Sequence, residues 1–121
     1  MAFEVNLQTV SVPASADLST KQFLFGTVNA SGQVAVTGAG VASDGVIALG
    51  PSAQGRPCGL ASFPGQIARV MAGASFANGA LLEVDGNGKA ITQSSGKIVA
   101  KALAAAGAAG DIVPALLILQ R

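Results

Sequence analysis

The sequence predicts an all-β fold, a small barrel or sandwich of short antiparallel strands with an extended N-terminal arm and at most one or two short helical turns. Three observations carry this. The apolar runs are short and punctuated by 16 glycines and five prolines, the residues that end strands and build turns. Two stretches have the form strand, Gly-bearing turn, strand. Those two stretches also resemble one another, the mark of an internal repeat.

The elements follow in chain order. Phe3, Val5 and Leu7 alternate with Glu4, Asn6 and Gln8, and Val10 and Val12 continue the rhythm after a one-residue phase change. That is the pattern of an edge strand or an extended arm. Pro13 ends it, and the small polar stretch Ala14 to Ser19 reads as a hinge. Residues 1–20 are therefore assigned as arm and hinge, and 21–121 as a single β-rich domain with an internal duplication. An ordinary first strand of the same domain is the competing reading of the arm.

Within the body, Phe25 to Val34 resembles Leu81 to Ala90. In each, a turn built on Asn29 or Asp85 closes on Gly32 or Gly88, residues that accept positive φ at little cost. Farther on, Gly45 to Leu49 followed by Gly55 is matched with Lys97 to Lys101 followed by Gly107 or Gly110. The alanines of Lys97 to Ala109 favour helix by propensity. The match to the β-branched run at Val46, with two glycines close behind, favours a strand that runs out near Ala104. A last strand is expected from about Asp111 to Leu119, at a sheet rim because Pro114 removes a ladder donor. Pro57 to Phe63 and Gln66 to Met71 read as a hairpin around Pro64-Gly65.

Composition narrows the function. Half the residues are hydrophobic and 11% are charged, with a formal net charge of +1, against about a quarter charged in ordinary globular chains. Copies of such a chain repel one another weakly, and exposed apolar patches tend to be covered by a partner. The chain is expected to be an assembly component. Its seven basic residues are scattered beside six acids, leaving no basic block to follow a phosphate backbone, so no nucleic-acid partner is expected. Glu4 stands where a secretory signal would be positive, and Lys101 and Asp111 interrupt the apolar C-terminal region, so neither processing nor a membrane partner is expected. The single Cys58 permits no internal disulfide and reads as a small core side chain.

The chemistry is equally sparse. With no histidine, the usual general base and the commonest transition-metal ligand are both missing, and Cys58 has no imidazole partner. Ser94-Ser95-Gly96-Lys97 has the spacing of a Ser-x-x-Lys acyl-transfer motif without its companion motifs, and reads better as a turn. Asp85-Gly86-Asn87-Gly88-Lys89 starts like a calcium loop, but Lys89 stands where an oxygen ligand is needed. Lys89 at a hairpin tip is the one hook for a carrier domain, and it lacks the acid-lysine-apolar triplet of such domains. No catalytic, metal or cofactor-binding residues are assigned, no cofactor is expected, and the chain is read as not an enzyme.

Several pieces taken in order carry a family resemblance: Ala16-Asp17-Leu18-Ser19, Gly45-Val46-Ile47, Gln54-Gly55-Arg56 and Val70-Met71-Ala72-Gly73-Ala74. Asn78-Gly79-Ala80-Leu81-Leu82 with Asp85 and Gly88-Lys89-Ala90 follow, and then an Ala-Gly tract leading into Ile112 to Leu119. In this order they resemble the capsid cement or head decoration proteins of tailed phages. Asn78-Gly79-Ala80 departs from the family, which often has an acid after the glycine. The resemblance implies a virion protein, made in the host cytoplasm, that adds to the outer surface of an assembled head and clamps subunits of its partner, the major capsid protein. It also implies a homo-oligomer, with a trimer favoured. On this reading Phe3, Val5, Leu7, Val10 and Val12 are the candidate capsid or self interface, reaching a neighbour by strand addition. Another phage component, tail or fibre, and a ligand-binding barrel are the alternatives.

Overall fold

The computed structural model describes residues 8–121. Among them are ten strands and no helix, so no helix is long and apolar enough to cross a membrane. The strands are β1 (Thr9–Pro13), β2 (Phe25–Val28), β3 (Val34–Val36), β4 (Gly45–Leu49) and β5 (Pro57–Ala61), then β6 (Ile67–Met71), β7 (Leu81–Val84), β8 (Ala90–Thr92), β9 (Ala100–Ala102) and β10 (Ile112–Leu117). They form two five-stranded antiparallel sheets, β1-β5-β4-β2-β3 and β6-β10-β9-β7-β8. The all-β reading holds.

The second sheet has the strand order of the first, one set of five strands later. Each sheet curls until its first and last strands meet through a parallel bridge, Ala14 to Val34 in one and Ala72 to Ala90 in the other. Small, often alanine or glycine, residues let these short strands roll up tightly. The correspondence extends to single hydrogen bonds. Ala14 N donates to Arg56 O as Ala72 N does to Asp111 O, and Gly55 N donates to Ala14 O as Gly110 N does to Ala72 O.

The two matched turns are hairpins of one design. Asn29 Oδ1 accepts from Ser31 N and Gln33 N, both at 3.0 Å, and Asp85 Oδ1 accepts from Asn87 N at 2.8 Å and Lys89 N at 2.9 Å. Gly32 and Gly88 close them at φ 75° and 80°, a conformation a Cβ would strain. The Asp85 carboxylate is thus spent on its own turn. At the end of the preceding loop Gly79 has φ 84°, and its counterpart in the first half is Phe23 at φ 71°, an uncommon conformation for a bulky residue.

Three expectations fail in detail. Pro64-Gly65 does make a turn, with Gln66 N donating to Phe63 O, but β5 and β6 do not pair. They enter different sheets, because β6 finds its partner in β10. The turn is the link between the two halves. Pro114 does not mark a rim, since β10 lies between β6 and β9. Its missing N–H points toward β9 just beyond the end of that strand, where Leu103 N still donates to Pro114 O, so little of the ladder is lost. Lastly, β2 pairs Phe25 with Val46 and Gly26 with Gly45, while β7 pairs Leu81 with Lys101 and Leu82 with Ala100. Gly45 therefore corresponds to Ala100, not to Lys97, and Gly110 rather than Gly107 is the partner of Gly55.

Two apolar clusters fill the molecule. Ala14, Leu18, Val34, Ile47, Cys58 and Leu60 form the interior of the first unit. The larger cluster fills the second unit and reaches across to Phe25, Val46 and Ala61 of the first. Ala14 and Leu18, within the stretch read as a hinge, are thus core residues. Burial pushes the Cys58 thiol above its ordinary pKa, as suits a core side chain.

Candidate interaction surface

Of the five candidate interface residues, Phe3, Val5 and Leu7 lie outside the described residues. Val10 and Val12 lie on β1, paired with Leu60 and Cys58 of β5, and Val10 is 37% exposed. β1 is an end strand of its sheet. Because Ala14 N bonds toward β5, the antiparallel alternation turns the main-chain groups of Val12 and Val10 toward β5 as well, and those of Thr9 and Ser11 outward. Among the described residues nothing pairs with this outward edge before the Ala14 bridge. It is a template for an added strand.

Sequence reasoning missed other exposed apolar residues: Val41 at 52%, Leu49 at 68%, Leu81 at 42% and Ile112 at 45%. Leu81 is the informative one, because its counterpart Phe25 is fully buried. Phe25 is covered by the second half, whose Asp85 to Lys89 turn leans on it, with Gly88 O accepting from Phe25 N at 2.9 Å. Beside it, a cleft of about 180 Å³ is lined by Gln22, Phe23, Val46 and Ala61 of the first half and Ala68 and Arg69 of β6. The sequence match already sets Phe25 against Leu81, but their difference in exposure emerges only from the folded chain.

The polar clusters are structural. Glu83 is buried, 6% exposed, and its carboxylate accepts from Ser94 N at 2.6 Å and Ser94 Oγ at 2.9 Å. The Ser94 backbone donation, its hydroxyl, and the Ser95 and Gly96 amides hold Glu83 below its ordinary pKa against a smaller opposing effect of burial. Ser94 of the Ser-x-x-Lys spacing thus serves the Glu83 carboxylate on β7, and no hydrogen bond joins it to the exposed Lys97. In the first half the corresponding loop is held by hydroxyls, with Thr27 Oγ1 and Thr37 Oγ1 at 2.7 Å and Ser43 Oγ bonded to main-chain oxygens. Among the described residues no group of three or more His, Cys, Asp or Glu side chains is placed to hold a metal ion.

No protein-family model matches the chain, and no curated protein matches it. A solved structure does. The head fiber gp8.5 N base in bacteriophage phi29 has a TM-score of 0.68 at 15% sequence identity, over 96% of this chain and 98% of that one. At that identity the likeness is one of fold, and it spans both halves.

Proposed function

We propose that this chain is a phage structural protein that binds the outside of an assembled head, self-associates there, and stabilises contacts between major capsid subunits. It acts by binding and not by catalysis, without a cofactor, and its partners are protein surfaces, not nucleic acid or membrane. The observation that carries the reading is the fold shared along nearly its whole length with the base of a phage head fiber. The open β1 edge and the exposed apolar residues support it, since many weak contacts repeated over a shell become strong together. In this reading Phe3, Val5, Leu7, Val10 and Val12 form one extended contact, the last two already held in strand geometry. The same fiber likeness favours a second reading, in which the chain is the head-bound base of a fibre and contributes nothing to shell strength.

The test is co-sedimentation with purified heads lacking the protein, followed by heating. Saturable binding that raises the temperature of DNA release supports the decoration role. Saturable binding with an unchanged release temperature supports the fibre-base role. Failure to bind refutes both. Deleting residues 1–7, which leaves β1 whole, is expected to lower occupancy, and unchanged occupancy removes the arm from the contact.

A further inference from the structure

Apart from a junction at Gly40, whose N–H donates to Val84 O and whose carbonyl accepts from Lys97 N, the contact between the two halves runs in one direction. The second half donates β6 and the Asp85 to Lys89 turn. The first half receives them on Leu24, Phe25, Val36, Val46 and Ala61. Gly88 O takes the Phe25 N–H, Met71 N donates to Phe23 O at 3.0 Å, and a Cβ at Gly88 would lie 2.4 Å from Val36 Cγ1. A two-fold arrangement would require the reciprocal contact, the Asn29 to Gln33 turn leaning on Leu81. That contact is absent: nothing lies within 4 Å of a Cβ built at Gly32, and no main-chain hydrogen bond joins the Asn29 to Gln33 turn to Leu81.

Among the described residues, each half consequently leaves one surface unused. On the first half the unused donor is β1 and the Asn29 to Gln33 turn, with Val10 37% exposed where its counterpart Ala68 is 1% exposed. On the second half the unused receiver is Ala80, Leu81, Thr92, Lys101 and Leu116, the counterparts of the five receiving residues of the first. Leu81 is 42% exposed against 0% for Phe25. Lys101, in place of Val46, has a long aliphatic stem that can carry its charge to the rim.

We infer that a second copy of this chain fills that receiver, docking its Asn29 to Gln33 turn and β1 on the Leu81 face as the second half docks on Phe25 within one chain. The inference deepens the self-association proposed above by naming its surfaces. A contact of two different faces is head-to-tail, and repetition of it closes a ring or runs on as a filament. Closure is expected for a chain that acts at one place on a shell. Every junction around the ring, within and between chains, then has the same form.

Cross-linking without any capsid present tests this separately from head binding. In a Cys58→Ala background, Gln33→Cys lies on the donor turn and Leu81→Cys on the receiver. With a short bifunctional thiol reagent, the double variant is expected to give covalent multimers ending at one size. A mixture of the two single variants should give dimers and nothing larger, and each single variant alone only monomers. Dimers from one single variant alone would show a two-fold contact and overturn the inference. So would a double variant whose thiols react with a monofunctional maleimide yet form no interchain product. Light scattering on the otherwise native chain is independent of cysteine placement: it should show an oligomer that Leu81→Lys reduces to monomer, and a native chain that is monomeric at high concentration would also overturn it.

Discussion

Gly32 and Gly88 offer a controlled comparison, since they occupy the same place in the same turn at nearly the same φ, 75° and 80°, and differ in what surrounds them. Alanine at Gly32 meets nothing within 4 Å. It pays only the left-handed strain, about 1 to 2 kcal/mol, offset by about 0.4 to 1 kcal/mol from a less flexible unfolded chain. The net loss expected for Gly32→Ala is thus about 0 to 1.6 kcal/mol. Alanine at Gly88 carries the same two effects and also drives its Cβ to 2.4 Å from Val36 Cγ1. Valine is stiff at χ1, so relief must come from movement of β3 or of the turn, and overpacking of this kind costs about 1 to 3 kcal/mol. Gly88→Ala should therefore be less stable than Gly32→Ala by about 1 to 3 kcal/mol. Urea unfolding measures this, read as a lower midpoint at unchanged slope, and done at a concentration low enough to keep the chain monomeric. Equal losses in the two variants would refute the argument that only the second turn is docked within the chain. At high concentration the ranking gains a second reading, because Gly32→Ala should weaken assembly if that turn docks on a neighbour.

Two further outcomes are expected. Leu82 is fully buried in the larger cluster, so Leu82→Ala should cost about 2 to 5 kcal/mol, depending on how far the thin core closes over the gap; a loss under about 1 kcal/mol by urea unfolding would show that the cluster is not close-packed. Glu83 is held below its ordinary pKa in the fold, so its contribution is complete above the unfolded-state value near 4.5 and is lost as pH falls through the lower folded one. Glu83→Gln should flatten that acid dependence and speed amide exchange at Ser94, Ser95 and Gly96, and unchanged exchange would show that the carboxylate does not hold the loop.

The parts of this fold legible in the sequence are those the backbone itself dictates. Asn29 and Asp85 were readable because a side-chain oxygen accepting two following amides is needed to make such a turn, and Gly32 and Gly88 because the turn closes at positive φ. The pairing partners of strands were not readable at Pro64-Gly65, where the turn is real and the hairpin is not, since a turn fixes direction locally while partner choice depends on strands far along the chain. The same limit misplaced Pro114, whose missing donor matters only if a neighbouring strand is still there to accept from it. Most instructive is the lost match between Val46 and Lys101, corresponding residues on β4 and β9. Sequence alignment slid past them to pair apolar with apolar, because Val46 is covered by the second half of the chain and Lys101 by nothing among the described residues. Phe25 and Leu81 part in exposure for the same reason. Backbone geometry keeps the two halves alike where each must turn, and neighbours drive them apart where one is covered. The positions of greatest divergence therefore trace the contact surface, and Leu81, apolar yet 42% exposed beside Lys101, is where that tracing points outside the chain.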